Sequence, residues 1–277
     1  MFELSIIIPA YNEEDRLPPT LKEVLSWKNS QTVFQVEIII VDDGSIDKTS
    51  TIVSEFQKVD NSIKLIQEKH VGFMHAIIAG FKAANYSLVG HMEADCATHP
   101  REFENLLKYI DDYDMIMGSR ILRGNLGKIR NKSFFRRLLS FFMSLLFRLL
   151  FKGGIYDPQI GFKLYKKVVL TRIVPKLCLE NDGLRNSEMV VKTYGLGFEI
   201  KEVPVDYVHE EASRCVPKKP IRFLVTTVLS LFSLWVQSRI EFQKGLYRRN
   251  PVRFSWVADL IITVFPSKFM VCQRSSL

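Results

Sequence analysis

Short apolar runs recur through the first 120 residues, and each run ends in polar residues. Runs that are apolar at nearly every position are typical of strands buried on both faces of a parallel sheet. They predict strands at residues 3–9, 36–41, 63–67, 88–92 and 115–118. Helical segments follow at residues 18–26, 49–58, 73–84 and from Pro100 onward. This alternation predicts βαβ units, and therefore an α/β fold in which helices flank a mostly parallel sheet.

The pattern changes after residue 120, where a long apolar helix is predicted at residues 133–152. Its polar residues recur at helical spacing and form one stripe on a Phe- and Leu-rich surface: Arg137, Ser140, Ser144 and Arg148. This pattern is typical of a helix that lies in a membrane interface with its arginines, Arg148 included, near lipid headgroups. The alternative is a core helix whose polar stripe faces solvent.

A second apolar helix is predicted at residues 221–242, near the end of the chain. Its uncharged part covers residues 223–238, about 24 Å at ~1.5 Å per residue, which is short of the ~30 Å hydrocarbon core of a bilayer. An interfacial helix is therefore favoured over a spanning one. Between the two apolar helices, the sequence predicts a turn at residues 157–163 that leads into a short strand, a helix at 186–194 and a half-exposed strand at 198–205.

The formal net charge of +8 is unevenly distributed. Residues 1–115 hold 10 Lys and Arg against 19 Asp and Glu, whereas residues 116–277 hold 28 against 11, so the balances are −9 and +17. A basic, aromatic-rich half suggests an anionic membrane face or nucleic acid as partner, or simply solvated basic faces. Nucleic acid is the least favoured of these, because the basic residues are interleaved with Leu and Phe at helical spacing.

The four cysteines show no CxxC spacing: Cys96, Cys178, Cys215 and Cys272. Scattered cysteines of this kind indicate reduced thiols rather than a disulfide framework or a zinc site. The chain enters a strand-like run at Leu4, so no N-terminal signal peptide is predicted.

Polar clusters follow three of the predicted strands, at residues 11–13, 42–43 and 93–95. Ligands of parallel sheets bind beyond the carboxyl ends of the strands. Glu93 and Asp95 point to the same side of an extended chain, and two such carboxylates suit a hard divalent cation that also holds a phosphate. Neither the GxGxxG fingerprint of dinucleotide-binding domains nor a Walker A sequence is present.

Five motifs together resemble a known family. Ile7-Ile-Pro-Ala-Tyr-Asn-Glu13, Val41-Asp-Asp-Gly-Ser-Ile-Asp47 and Glu93-Ala-Asp95 resemble the nucleotide-binding half of family 2 glycosyltransferases with the Rossmann-like GT-A fold. Gly118-Ser-Arg120 and Asp157-Pro-Gln-Ile-Gly-Phe-Lys163 are similar to motifs of its polyprenyl- and dolichyl-phosphate sugar transferases, the dolichyl-phosphate beta-glucosyltransferases above all.

The resemblance implies an organisation of the chain. Residues 1–210 would form the GT-A domain, with a nucleotide-sugar-binding half at 1–118 and an acceptor half at 119–210. Residues 211–277 would form a C-terminal region of amphipathic helices at the membrane interface.

The resemblance also implies an activity. The enzyme would transfer a hexose, glucose above all, with inversion, from UDP-glucose or GDP-mannose to a polyprenyl or dolichyl phosphate whose own phosphate is the nucleophile. It would need Mg²⁺ or Mn²⁺ and would work at a membrane surface, with its active site on the cytoplasmic side. No nucleic-acid partner is implied.

By position, the resemblance assigns site residues. The donor would be held by Pro9, Tyr11, Glu13, Val41, Asp42, Asp43, Glu93, Ala94 and Arg214. Asp95 and Glu93 would bind the metal, and Asp95 and Arg120 would be catalytic. The acceptor phosphate would meet Arg120, with Arg123, Lys128 and Arg130 beside it.

Two departures from the family pattern leave alternatives open. Glu93 stands where the family has aspartate, and His70-Val-Gly-Phe-Met74 stands in place of Gly-Lys-Gly, so that His70 or Lys69 would have to replace a diphosphate-facing lysine. One alternative is a family 2 glycosyltransferase acting on a soluble or polysaccharide acceptor. The other is a catalytically weak, membrane-associated protein that binds nucleotide sugars.

The sequence leaves two possible roles for each of four further residues. Glu188 would either orient the sugar or face solvent as an ordinary helix charge. His75, His91 and His99 are expected to be structural or loop residues rather than ligands, because hard cations prefer oxygen.

Overall fold

The computed structural model describes residues 1–122, 134–177, 184–208 and 220–264. These residues form a seven-stranded sheet in the order β3-β2-β1-β4-β6-β5-β7. The strands are β1 (Phe2–Ala10), β2 (Phe34–Asp42), β3 (Ile63–Gln67), β4 (Leu88–His91), β5 (Met115–Ser119), β6 (Lys163–Lys166) and β7 (Ile200–Pro204). The predicted strands are therefore confirmed, with ends that shift by a few residues.

Helices cover the sheet and extend beyond it. They are α1 (Leu17–Ser30), α2 (Thr49–Val59), α3 (Phe73–Ala83), α4 (Glu102–Leu107), α5 (Phe134–Leu150), α6 (Lys167–Ile173), α7 (Arg185–Gly195), α8 (Pro220–Gln243) and α9 (Ser255–Val264), with a 3-10 turn at Val174–Lys176. The apolar helices expected at 133–152 and 221–242 are α5 and α8. α9 lies within residues 211–277, the expected C-terminal region of amphipathic helices.

The first half of the sheet is parallel, and its central strands β1 and β2 are buried along most of their length. β1 pairs with β2 on one side and with β4 on the other, and the isoleucines of the central strands have no solvent exposure. α3 packs closely on this half of the sheet. A Cβ atom on Gly80 would lie 2.5 Å from Cγ2 of Ile7, so only glycine allows the helix to come so near.

One strand reverses direction. β6 runs antiparallel between β4 and β5, and β7 is parallel to β5. The prediction of a mostly parallel sheet is confirmed, and the reversal has a consequence for the site. The start of β6 lies at the edge where β4 and β5 end, so the turn at residues 157–162 reaches the same edge as Glu93 and Arg120.

The apolar helices belong to the same hydrophobic core as the sheet. α5 packs against α8, and α8 packs against α7 and α9. Phe147, Trp235 and Ala258 are buried members of that core. Lys192 of α7 and Glu241 of α8 form a buried ion pair, with 2.7 Å between Nζ and Oε2. None of the helices in the described ranges combines the length and the apolar character that crossing a bilayer requires.

The polar stripe of α5 does not lie where the sequence suggested. Ser144 is buried, and its hydroxyl donates to the carbonyl of Tyr156, while the guanidinium of Arg148 lies 4.1 Å from the centroid of the Tyr156 ring. Both expected orientations of the stripe, toward headgroups or toward solvent, are therefore wrong at Ser144, whereas headgroup contact by the half-buried Arg148 stays a prediction. The exposed side of α5 is apolar instead: Phe141, Phe142, Leu145 and Leu149 are 40–51% exposed.

Three organisational predictions are left as they were. The division at residues 118/119 and 210/211 stays a prediction, as does membrane contact by the C-terminal helices. The side chains of Arg136 and Arg137 lie outside the described part of the chain.

Candidate active site

The loop after β1 interlocks with the loop after β2. The backbone N–H of Asn12 donates to Oγ of Ser45 at 2.8 Å, and Oδ1 of Asn12 accepts from the backbone N–H of Ile46 at 2.8 Å. The N–H of Glu13 donates to Oγ1 of Thr49 at 2.8 Å. The two loops thus form one rigid edge, which leaves the ring of Tyr11 38% exposed.

The carboxylates of Asp42 and Asp43, at the end of β2, accept hydrogen bonds from backbone N–H groups of the adjacent loops. Asp42 accepts from the N–H of Ser45 at 2.9 Å and from the hydroxyl of Ser50. Asp43 accepts from the N–H groups of Val71 and Gly72. Both aspartates are almost fully buried.

The other predicted donor residues near this edge are placed as follows. Pro9 and Val41 are buried in the sheet, so they could meet a ligand only through their backbone. Glu13 forms a bidentate ion pair with Arg16, at 2.7 and 2.5 Å. Arg16 also approaches Asp95, with 3.9 Å between Nη1 and Oδ2, so it joins the loop after β1 to the loop after β4.

Glu93 and Asp95 follow β4 in a tight turn. The N–H of Ala97 donates to Oδ1 of Asp95 at 3.1 Å, and Cys96 between them has a positive φ of 52°. The carbonyl of Ala94 accepts from the Thr20 hydroxyl at 2.7 Å. Burial and the negative charge of Asp95 raise the pKa of Glu93 to about 7.

Glu93 lies directly against the turn before β6. A Cβ atom on Gly161 would be 2.7 Å from Cγ of Glu93 and 2.8 Å from its Oε1. The glycine of the Asp157–Lys163 motif therefore leaves the space that the longer glutamate side chain occupies.

Arg120 is held by Asp157 on the other side of the same turn. Its Nε and Nη2 donate to the two carboxylate oxygens at 2.7 and 2.6 Å, and its backbone N–H donates to Oδ2 at 3.0 Å. Burial would raise the pKa of Asp157, but the charge and hydrogen bonds of Arg120 outweigh burial and lower it. The guanidinium also lies over the ring of Tyr207, 5.2 Å from its centroid.

The turn that precedes β6 is held by hydrogen bonds to Glu202 and Lys163. Glu202 of β7 accepts from the N–H groups of Tyr156 and Asp157 at 2.8 and 2.7 Å. Lys163 has no solvent exposure, and its Nζ donates to the carbonyl of Ile160 and, at 3.0 Å, to Oδ1 of Asn186. Burial lowers the pKa of this ammonium group to about 7, against the opposing charges of Asp157 and Glu93.

The residues after β4 fit a hard divalent cation. Two carboxylates with oxygen donors only are what Mg²⁺ and Mn²⁺ accept when a diphosphate and water complete the shell. The raised pKa of Glu93 beside Asp95 expresses a repulsion that a bound cation would relieve. Within the described ranges, no group of three or more His, Cys, Asp and Glu residues clusters as a ready-made metal cage.

The chain is similar to known glycosyltransferases. The Glycosyl transferase family 2 model matches residues 5–173, more than half of the chain. A dolichyl-phosphate beta-glucosyltransferase of Trichomonas vaginalis is 34% identical over 259 residues, which cover 89% of this chain and 77% of that one. The chain belongs to glycosyl transferase family 2. A Homo sapiens dolichyl-phosphate beta-glucosyltransferase is 30% identical over 228 residues, or 78% of this chain and 70% of that one.

Solved structures share the fold of this family 2 enzyme. The mannosyltransferase PcManGT of Pyrobaculum calidifontis, solved with GDP-Man and Mn²⁺, has a TM-score of 0.55 at 17% identity, covering 94% of this chain and 69% of that one. Glucosyl-3-phosphoglycerate synthase of Mycobacterium tuberculosis, solved with Mn²⁺, UDP and phosphoglyceric acid, has a TM-score of 0.54 at 16% identity, covering 85% and 78%. The GT-A architecture predicted from the motifs is thus confirmed.

The structure brings most of the predicted residues to one edge of the sheet, though their roles stay predictions. Glu93, Asp95 and Arg120 lie close enough for their charges all to act on the hydroxyl of Tyr207. Four predicted cations lie outside the described residues: Arg123, Lys128, Arg130 and Arg214.

The structure also shows the surroundings of His91 and Glu188. His91 is fully buried, and burial together with the charge of Lys163 lowers its pKa well below the ordinary value, as expected for a structural histidine. Glu188 is buried and its Oε1 lies 3.8 Å from Nζ of Lys192, so its interpretation as a solvent-facing charge is wrong.

Sequence reasoning missed the residues that support the site. Tyr207, Lys163, Asn186 and Glu202 were not singled out. Two signals were available. Lys163 is the last residue of the Asp157–Lys163 motif, and Tyr207 follows β7, whose carboxyl end lies beside that of β5.

Proposed function

We propose that this family 2 glycosyltransferase transfers glucose from UDP-glucose to dolichyl or another polyprenyl phosphate, with inversion at the anomeric carbon. The relatives named dolichyl-phosphate beta-glucosyltransferase, which match most of the chain, support the sugar and the acceptor. The observation that carries the proposal is the position of Arg120, held by Asp157 and Tyr207 beside the carboxylates that follow β4.

The acceptor needs no enzymic base. A phosphate monoester has a second pKa near ~6 and is already an anionic nucleophile at neutral pH. The enzyme must therefore align a phosphate oxygen with the anomeric carbon and neutralise the departing diphosphate. This favours a phosphate acceptor over a soluble or polysaccharide hydroxyl acceptor, which would require a general base near the sugar.

Arg120 is prepared for the alignment. The carboxylate of Asp157 accepts hydrogen bonds from Nε and Nη2 of Arg120 and so fixes the plane of the guanidinium. The remaining N–H donors of Arg120 therefore face a defined direction. Tyr207 covers one face of the group. A preorganised arginine binds a phosphate without first having to order its own side chain.

Glu93 and Asp95 would hold the divalent cation, Mg²⁺ or Mn²⁺. A cation bound there supplies positive charge to the diphosphate leaving group. Arg16 keeps the carboxylate of Asp95 at the edge of the sheet, and Gly161 gives Glu93 the space to share that position.

The membrane is the site of action because the acceptor is carried by a lipid. Exposed apolar side chains on α5 and α9 support contact with a bilayer: Phe141, Phe142, Leu145, Leu149, Trp256, Leu260 and Val264. We place the active site on the cytoplasmic side. The scattered cysteines of the sequence, which show no CxxC spacing, support a reducing compartment.

The test is a donor-by-acceptor assay. Membranes containing the enzyme are incubated with labelled UDP-glucose or GDP-mannose, with Mg²⁺, with Mn²⁺ or with EDTA, and with dolichyl phosphate. We expect UDP-glucose to give an organic-extractable, mild-acid-labile product that EDTA abolishes. Label found only in a water-soluble glycan would refute the lipid acceptor. Nucleotide binding without any transfer would favour a catalytically weak binding protein.

A further inference from the structure

The chain crosses from one half of the site to the other directly after β7. The backbone N–H of Val205 donates to the carbonyl of Ser119, the last residue of β5, at 3.2 Å. Three residues later, the N–H of Val208 donates to the carbonyl of Ala97, in the turn after β4, at 2.8 Å. Residues 205–208, which we call the crossing segment, are thus fixed at both ends by backbone hydrogen bonds.

Both ends of the crossing segment adjoin residues of the candidate site. At one end, the N–H of Ala97 donates to Oδ1 of Asp95 at 3.1 Å. At the other end, Ser119 directly precedes Arg120 in the sequence. The crossing segment therefore ties the backbone beside a predicted metal ligand to the backbone beside a predicted phosphate ligand.

Tyr207 brings its side chain from the crossing segment into the site. The centroid of its half-buried ring lies 5.2 Å from Cζ of Arg120. Burial and the negative charge of Glu93 raise the pKa of its hydroxyl, whereas the charge of Arg120 and a hydrogen bond from it lower that pKa. The charge of Asp95 raises the pKa as well. The hydroxyl of Tyr207 is therefore close to both the arginine and the carboxylate pair.

A phenol hydroxyl accepts and donates hydrogen bonds at the same time. Because a guanidinium is only a donor, its hydrogen bond to Tyr207 leaves the phenol proton to be donated to an acceptor. Without a cation, the carboxylates of Glu93 and Asp95 attract this proton and the Arg120 guanidinium alike. When a divalent cation compensates the charge of the carboxylates, both donors can turn to another anion. In the proposed reaction that anion is the acceptor phosphate.

We infer that Tyr207 is a positioning residue that couples the two halves of the site, so that a divalent cation and a nucleoside diphosphate bound at the carboxylates strengthen the binding of the acceptor phosphate at Arg120. The inference rests on the proposed function and deepens it. By linkage the coupling is reciprocal, and the acceptor phosphate strengthens nucleotide binding by the same factor.

Two substitutions separate the hydroxyl from the ring. Tyr207→Phe retains the ring beside Arg120 and removes the hydroxyl, whereas Tyr207→Ala removes both. The matched control is Tyr109→Phe, which removes a hydroxyl from a ring whose centroid lies 5.4 Å from Nζ of Lys201, near the start of β7. Thermal melting of the full chain verifies that all three variants fold.

The measurement is calorimetry of the full chain with geranyl phosphate, a water-soluble isoprenyl phosphate, in the absence and in the presence of UDP and Mn²⁺. The ratio of the two affinities is the coupling factor. Titration with UDP and Mn²⁺, with and without geranyl phosphate, gives the same factor by the reverse route. The charge of the cation acts on the phosphate in every variant, so the difference between variants reports the hydroxyl.

We expect a coupling factor of about tenfold in the parent and in Tyr109→Phe, and of less than about threefold in Tyr207→Phe. The affinities of Tyr207→Phe for each ligand alone should stay within about twofold of the parent. Tyr207→Ala should bind geranyl phosphate more weakly even without nucleotide, because Arg120 loses the ring beside it.

A parental coupling factor in Tyr207→Phe would overturn the inference, as would a parent that shows no coupling. Weaker binding of each ligand alone at an unchanged coupling factor would give Tyr207 a purely structural role and overturn it equally. The expected pattern in a protein that transfers no glucose to dolichyl phosphate would refute the proposed function and support the inference. Transfer by a parent without coupling would do the reverse.

Discussion

Gly161 and Glu93 lie in direct contact, and the glycine occupies a position in its turn where a side chain would displace the glutamate. The added Cβ atom would be 2.7 Å from Cγ of Glu93, well inside van der Waals distance. The motif at residues 93–95 and the motif at residues 157–163 are thus in contact. The absence of a side chain at Gly161 leaves the space that the longer side chain of Glu93 occupies.

The first prediction concerns this contact. Gly161→Ala should displace Glu93, reduce sugar transfer at least tenfold and lower the free energy of unfolding by about 1–3 kcal/mol, as overpacking does. Urea denaturation and the transfer assay measure the two effects. Adding Glu93→Ala removes the clash, so the double variant should regain stability relative to Gly161→Ala but not activity. Equal unfolding free energies for Gly161→Ala and the parent would contradict the contact.

The second prediction concerns the two hydrogen bonds that the Arg120 guanidinium donates to Asp157. Arg120→Lys keeps the positive charge but cannot donate to both oxygens of Asp157, so the group loses its fixed orientation. We expect transfer to fall about 100-fold, mainly through a higher KM for the lipid phosphate, while UDP affinity stays within about twofold. Steady-state kinetics and calorimetry measure these effects. An unchanged KM for the acceptor would speak against a role for Arg120 at the phosphate.

The third prediction is a pH dependence of stability. Burial would raise the pKa of Glu37, but hydrogen bonds from Lys64, Ser5 and Asn85 outweigh it and hold the pKa below 4.5. A lowered pKa means that Glu37 stabilises the fold above about pH 4.5 and that this contribution is lost as the pH falls through its folded pKa.

Glu37→Gln should therefore lower the free energy of unfolding by about 1–3 kcal/mol at pH 7. The deficit relative to the parent should shrink as the pH falls below 4.5, which urea titrations at several pH values will measure. The exposed α2 residue Glu55, changed to Gln, is the matched control and should have little effect. A deficit that is constant with pH would refute this assignment.

The fourth prediction concerns the apolar face of α9. Trp256 and Leu260 are 69% and 58% exposed and lie one helical turn apart. Replacing both with serine should reduce co-sedimentation with vesicles containing anionic lipid about tenfold or more, because each side chain loses apolar burial. Val59→Ser on α2, where valine is 81% exposed, is the control and should sediment like the parent. Unchanged sedimentation of the double variant would exclude α9 as a membrane contact.

The sheet could be predicted from sequence because its signals are local. Runs such as residues 36–41 contain one polar residue, Glu37, and runs that are apolar at nearly every position are typical of strands buried on both faces. The direction of β6 could not be predicted, since a strand of four residues carries no signal that distinguishes parallel from antiparallel pairing.

The site was predicted less completely because its supports are non-local. The charge of Lys163 suggests a surface residue, yet it is buried where Ile160 and Asn186 accept its hydrogen bonds. The stripe on α5 was identified correctly from its spacing, but Ser144 was oriented wrongly, since only the fold reveals that the carbonyl of Tyr156 lies beside it. Carboxylates at strand ends are visible in the sequence, whereas the partners that fix them come from elsewhere in the chain.

The ion pair between Arg120 and Asp157 closes an excursion of the chain. α5 lies in the segment of the chain between Arg120 and Asp157, so the ion pair joins the two ends of that segment. A displacement of α5, for example on binding to a lipid surface, would therefore act on this ion pair and on the position of Arg120. Docking of α5 on a lipid surface and alignment of the acceptor phosphate would then be coupled through the ion pair of Arg120 and Asp157.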